Sequence, residues 1–123
     1  MRIVYIEDND ELRETIGCLM EGPGRSITSC ASAEDALLLD AQAPFDLVVS
    51  DVSLPGQSGT DLAQALLKQS PQRWIVLCSG YDLGHYPAQW GPNVRTLLKP
   101  FEIEELEALL SQIEAQRANA SLQ

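Results

Sequence analysis

Apolar and polar positions alternate in blocks along this chain. "RIVYI" at 2–6 is a short, β-branched apolar run and predicts a strand. "NDELRETIGCLM" follows, with Leu12, Ile16, Leu19 and Met20 at helical spacing and Asn9 or Asp10 able to cap the helix. "EGPG" at 21–24 ends it. "SITSC" at 26–30 predicts a second strand. Ser32, with Asp35 three residues on, resembles a capping box and opens a helix through "AEDALLLDAQ". "FDLVVSD", Phe45 to Asp51, predicts a buried strand, and Ser58 or Thr60 can cap a helix in "DLAQALLKQ". "RWIVLC" at 73–78 and "VRTLL" at 94–98 predict strands four and five. "EIEELEALLSQIEAQ" predicts a last helix with Ile103, Leu106, Leu109, Leu110 and Ile113 on one face. The polar "RANASLQ" predicts a frayed end, so one domain over 1–117 and a polar tail over 118–123 are expected.

Strands thus alternate with helices, and the central strands are apolar on both faces. That pattern predicts an α/β fold, a doubly wound parallel sheet covered on both sides. Ligands in such folds bind beyond the carboxyl ends of the strands. The stretch "GYDLGHYPAQWGPNVRTLL" after Ser79 shows little helical periodicity. Pro87 costs about 3 kcal/mol inside a helix, and Gly91-Pro92 disfavours continuation. Residues 81 to 92 are therefore expected to form a short or irregular segment.

Composition narrows the picture. A chain of 123 residues, 45% hydrophobic, is one domain with a real core. Its net charge of −10 argues against binding nucleic acid or anionic membranes nonspecifically. No apolar run approaches the roughly 18–20 residues of a membrane span, and "MRIVYIED" shows no signal segment, so a cytoplasmic location is expected. Cys18, Cys30 and Cys78 form no CxxC pair and are expected as buried, reduced thiols. His85, the single histidine, reads as a surface-loop residue, and Trp74 and Trp90 as packing residues.

The chemistry gathers at the predicted strand ends. Strand one ends in Glu7 and Asp8, strand three in Asp51, strand four in Ser79, and strand five in Lys99 before Pro100. Asp is a poor strand residue and costly to bury unpaired. Three close carboxylates repel, and a divalent cation relieves them; oxygen-only ligands favour Mg²⁺. A carboxylate attacks phosphorus once the phosphoryl oxygens are neutralised. Mg²⁺ and Lys99 supply that charge, and Ser79 can donate to one phosphoryl oxygen. Gly56 and Gly59 leave the turn after Asp51 open to unusual backbone angles. Asp51 is thus expected to be held at the strand tip for phosphorylation.

These residues carry a resemblance. From Arg2 to about Gln116 the chain resembles the receiver domain of two-component response regulators, in the acidic pair of "YIEDN", the "SDVSLPGQSG" loop, "LCSG" and "LLKPF". The family implies a five-stranded CheY-like, flavodoxin-like sheet of order 2-1-3-4-5. It implies that Glu7, Asp8 and Asp51 bind Mg²⁺, with a backbone carbonyl from Ser53. Asp51 is then the phosphoacceptor, Ser79 and Lys99 contact the phosphoryl group, and Lys99–Pro100 is a cis peptide. The implied donor is a sensor histidine kinase or histidine phosphotransfer protein, and the implied activity is a signalling receiver's own phosphorylation and dephosphorylation. The downstream partner or output domain is not named by the chain. Two features depart from the family: Thr96 stands where members usually carry a Tyr or Phe whose rotamer switches with the hydroxyl residue, and the stretch between Ser79 and Lys99, where the family has a fourth helix, shows little helical periodicity. The catalytic edge is intact, while the output face is expected to be atypical.

Three other readings compete with this one. A haloacid-dehalogenase-type phosphatase resembles a DxD pattern, but Ser53 stands at the second acid. A flavodoxin-like flavin binder needs a hydroxyl- and glycine-rich loop after strand one, where this chain places acids that repel phosphate. A receiver-like interaction module that signals without phosphorylation is the third, and the intact five-residue set speaks against it.

Overall fold

A computed structural model describes residues 1–84 and 86–121. His85, Leu122 and Gln123 lie outside the described residues. The elements alternate strictly: β1 (Arg2–Ile6), α1 (Asp10–Met20), β2 (Ser26–Cys30), α2 (Ala33–Gln42), β3 (Leu47–Asp51), α3 (Gly59–Gln69), β4 (Trp74–Ser79), α4 (Tyr86–Trp90), β5 (Val94–Leu98) and α5 (Ile103–Ser121). The strands form one parallel sheet in the order β2-β1-β3-β4-β5. Burial follows that order. Every residue of central β3 is buried, whereas the edge strands β2 and β5 are partly exposed.

Because side chains alternate across a strand, the sheet makes two cores. Val4, Ile6, Val48, Ile75 and Leu77 pack beneath α2 and α3. Ile3, Tyr5, Leu47, Val49, Val76 and Cys78 pack beneath α1 and α5, which supply Met20, Leu106, Leu110 and Ile113. Burying a Leu or Ile of this kind contributes about 1.5–3 kcal/mol. The helix starts follow local chemistry. The Asn9 side chain accepts from Leu12 N–H, Ser32 from Asp35 N–H, and Ser58 from Asp61 N–H.

Four details differ from expectation. Helix α5 runs on to Ser121, through residues 118–121 that were expected in a polar tail. No Gly or Pro interrupts them, Ala and Arg favour helix, and Arg117 is pinned to Asp46 at 3.1 Å. Cys18 is exposed rather than buried, because α1 turns Gly17 and Met20 inward; Cys30 is half-buried and Cys78 buried. Strand β4 runs Trp74–Ser79 rather than over the 73–78 of the apolar run, so that Ser79, read as the strand's end, is its last residue. The fourth helix is as short as expected, five residues, but Pro87 sits in its first turn rather than breaking it. Proline in a first turn forfeits no helical hydrogen bond. Trp90 packs against the first core and Trp74 against the second. Among the described residues no helix is long and apolar enough to cross a membrane.

Candidate functional site

Parallel pairing brings the carboxyl ends of β1, β3, β4 and β5 to one edge of the sheet. Glu7 follows β1 and is 3% exposed; Asp51 closes β3 and is 9% exposed. Asp8, beside them, faces solvent. Carboxylate oxygens of Glu7, Asp8 and Asp51 lie within 4.8 Å of one another. Lys99 reaches in from the end of β5, with Nζ 2.9 Å from Asp51 Oδ1 and 3.5 Å from Glu7 Oε1. The Lys99–Pro100 peptide that follows is cis.

The electrostatics reflect this crowding. Burial, the largest influence, pushes the Glu7 carboxyl above its usual value, and Asp8 and Asp51 push the same way. The N–H of Asn9, 3.1 Å from Glu7 Oε2, and the Lys99 charge oppose the rise. For Lys99, burial pulls the ammonium down, but its hydrogen bond to Asp51 and the charges of Asp51 and Glu7 outweigh it and hold it above its usual value. Three carboxylates facing one ammonium leave the cluster net negative. An oxygen-only donor set of that charge fits a hard divalent cation such as Mg²⁺.

The other expected site residues are placed differently. Ser79 is buried, and its Oγ accepts from Tyr81 N–H at 3.1 Å. Ser53 is exposed on the loop after Asp51. Thr96 is exposed on β5, beside a cleft of about 200 Å³ shared with Ser79, Tyr81, Asp82, Leu83, Leu97 and Leu98. The two loop glycines serve different ends. Gly56 has φ 75°, as an open turn requires. Gly59 does not; a Cβ there would lie 2.1 Å from the Asp51 carbonyl oxygen, so close approach excludes a side chain.

Several residues around the site carry no sequence signal of their own. Arg13 donates from Nη1 to the Glu7 carbonyl at 2.9 Å. Glu34, on α2, accepts from Gln57 N–H at 2.8 Å. Tyr5, Leu12, Ile16, Cys78 and Phe101 wall an apolar cleft of about 450 Å³ that opens onto Glu7, Asp51 and Lys99. They come from several separate elements, and nothing in the linear order joins them.

Residues 3–111 match the response regulator receiver domain family. The chain belongs to that family. The two-component response regulator PhoP of Pseudomonas aeruginosa is 30% identical over 119 residues, covering 90% of this chain and 50% of that protein. This receiver therefore spans about half the length of that curated relative. A receiver domain protein from Clostridium thermocellum superposes with a TM-score of 0.83 at 20% identity, covering 97% of this chain and 98% of that one. The response regulator TrrA of Thermotoga maritima, solved in complex with Mg²⁺–BeF, superposes with a TM-score of 0.77 at 25% identity, covering 91% of this chain and 97% of that one. The protein is thus a signalling receiver of two-component systems, with the five-stranded order of its family.

Proposed function

We propose that Asp51 is the phosphoacceptor and that the receiver catalyses its own phosphorylation and dephosphorylation with Mg²⁺. The observation that carries this reading is Lys99 Nζ at 2.9 Å from Asp51 Oδ1, beside two further carboxylates within 4.8 Å. The donor is a phosphohistidine of a sensor histidine kinase or phosphotransfer protein, and a cytoplasmic setting goes with it. An Asp51 oxygen forms the new O–P bond as the P–N bond breaks, and that electron pair leaves with the imidazole, which takes up a proton. Lys99 stays paired with the charge that passes from Asp51 to the phosphoryl oxygens. The Ser79 hydroxyl exchanges its present loop contact for a donor bond to one of those oxygens. Glu7, Asp8, Asp51 and the Ser53 carbonyl would hold Mg²⁺, which when bound supplies positive charge against the phosphoryl group. The complex of TrrA with Mg²⁺–BeF supports this assignment. Later, water attacks the acyl phosphate and returns Asp51 to its carboxylate.

The test is intact-mass spectrometry after incubation with phosphoramidate and Mg²⁺. Wild type should gain one phosphate, and none should appear with Asp51→Asn or with the metal chelated. Labelling of Asp51→Asn at the wild-type rate would overturn the assignment.

The output is proposed to be atypical as well. With Thr96 exposed on β5 and α4 only five residues long, the face of α4, β5 and α5 lacks, at position 96, the large side chain that a rotamer switch needs. The signal instead passes through the loops around Asp51 and Ser79, or through α1, to a partner protein. Amide shifts with and without BeF₃⁻ check this. Large changes confined to 81–99, together with phosphorylation-dependent dimerisation, would contradict it.

A further inference from the structure

The loop between β3 and α3 carries Ser53 and must keep its shape if that carbonyl is to face a cation. Its two ends are fixed by backbone bonds, Val52 N–H to Cys78 carbonyl at 2.9 Å and Gly59 N–H to Val52 carbonyl at 2.9 Å. Between them, among the described residues, one hydrogen bond reaches residues 53–57 from outside the loop: Gln57 N–H to Glu34 Oε1, at 2.8 Å. Leu54 adds apolar packing against the first core. Gly56 turns with φ 75° directly against the same carboxylate, and a Cβ at that position would lie 3.1 Å from Glu34 Oε1. The turn is therefore shaped around the Glu34 head group. Glu34 sits in the first turn of α2, where the helix N-terminus favours a negative charge. A backbone N–H bonded to a carboxylate is stronger than a neutral pair.

Resting on the phosphoacceptor reading above, we infer that Glu34 is a positioning residue for the Asp51 loop. It touches neither phosphoryl group nor cation. By holding Gln57 and the Gly56 turn, it keeps the Ser53 carbonyl in reach of the cation, and so sets Mg²⁺ affinity from a different helix. Residues of this kind act on a metal through a ligand's orientation.

The test uses the whole chain and Mg²⁺ alone as probe. Amide shifts titrated with MgCl₂ should show Glu34→Ala weakening the dissociation constant by about three- to tenfold, the range of one hydrogen bond lost at a solvent-exposed site. Glu34→Gln keeps an acceptor oxygen and should restore affinity to within about twofold of wild type. Phosphorylation by phosphoramidate should follow: Glu34→Ala slow at low Mg²⁺ and recovering at saturating Mg²⁺. Two results would overturn the inference. One is a Glu34→Ala dissociation constant equal to wild type, whatever its melting temperature. The other is Glu34→Gln as weak as Glu34→Ala, which assigns the effect to charge rather than to the bond. Labelling of Asp51→Asn separates the two readings: if that variant is still phosphorylated the phosphoacceptor assignment fails, while the Mg²⁺ titrations judge Glu34 by themselves.

Discussion

The carboxyl edge of the sheet has two unequal halves. Beyond β1 and β3 the loops are tied to other elements. Arg13 on α1 holds the Glu7 carbonyl, and Glu34 on α2 holds Gln57. Beyond β4 the side-chain ties are short. Tyr81 N–H bonds Ser79 Oγ and Gly84 N–H bonds Asp82 Oδ1, each only two residues back. Tyr81 and Leu98 are exposed. The difference matches the work that the proposed function would ask of each half. Charge neutralisation at phosphorus needs oxygens fixed to a fraction of an ångström, whereas a signal needs a segment with more than one arrangement.

Glycine tests that contrast most sharply. Gly59→Ala on the tied side forces a methyl against the Asp51 carbonyl, and should cost about 3 kcal/mol or more in urea unfolding. Gly80 on the loose side has open space where a side chain would begin, with no atom within 4 Å of a Cβ there, so Gly80→Ala should stay within about 1 kcal/mol. Equal losses at the two sites would erase the distinction.

Thiol reactivity gives the next largest effect. Cys78 lies near the end of β4, in the wall of the cleft that opens onto Glu7, Asp51 and Lys99, and burial pushes its thiol up to about 12, with Asp51 and Glu7 adding to the rise and Lys99 opposing it. Cys18 is exposed on α1. At pH 8 an aromatic disulfide reagent should modify Cys18 at least about a hundredfold faster than Cys78, because the thiolate is the nucleophile. The sign of the pH dependence follows. A thiol raised in the fold stays protonated while the unfolded chain ionises from about 9 upward, so its contribution to stability is present below that pH and is lost on climbing toward 12. Fast labelling of Cys78 in the folded state would show that the core beneath the site opens.

Asp8→Asn should at least halve the rise in melting temperature produced by 10 mM Mg²⁺, about a 1 kcal/mol effect, through the lost ligand. Its metal-free form should melt no lower than wild type, since one repelling charge is gone. Calorimetry with and without Mg²⁺ reads both; an unchanged rise removes Asp8 from the cation site. The smallest change is expected from Thr96→Tyr. It projects a ring toward the cleft of about 200 Å³ on the loose half, with less than about 1 kcal/mol change in stability. With BeF₃⁻ present, amide shifts at 81–99 should grow relative to wild type if position 96 is what leaves that half without a switch.

Much of this is readable in linear order. Period-two and period-3.6 patterning marks most of the elements, and the carboxylates of Glu7, Asp8 and Asp51, with Ser79 and Lys99, fall at strand ends because parallel strands must all finish at one edge. Local rules also place the cap at Ser32, narrow the other two to Asn9 or Asp10 and to Ser58 or Thr60, and keep α4 short. Packing alone assigns the rest. Gln57 and Glu34 are 23 residues apart, and only the stacking of α2 beside the β3–α3 loop joins them. Gly59 is indistinguishable from Gly56 by residue type, yet one answers a close approach and the other a positive φ. The outward turn of Cys18 and the run of α5 to Ser121 depend on which helix face meets the sheet and on Arg117 finding Asp46. Periodicity and strand-end chemistry are properties of neighbours along the chain. Contacts between elements depend on the distances that folding sets, and those distances are absent from the linear order.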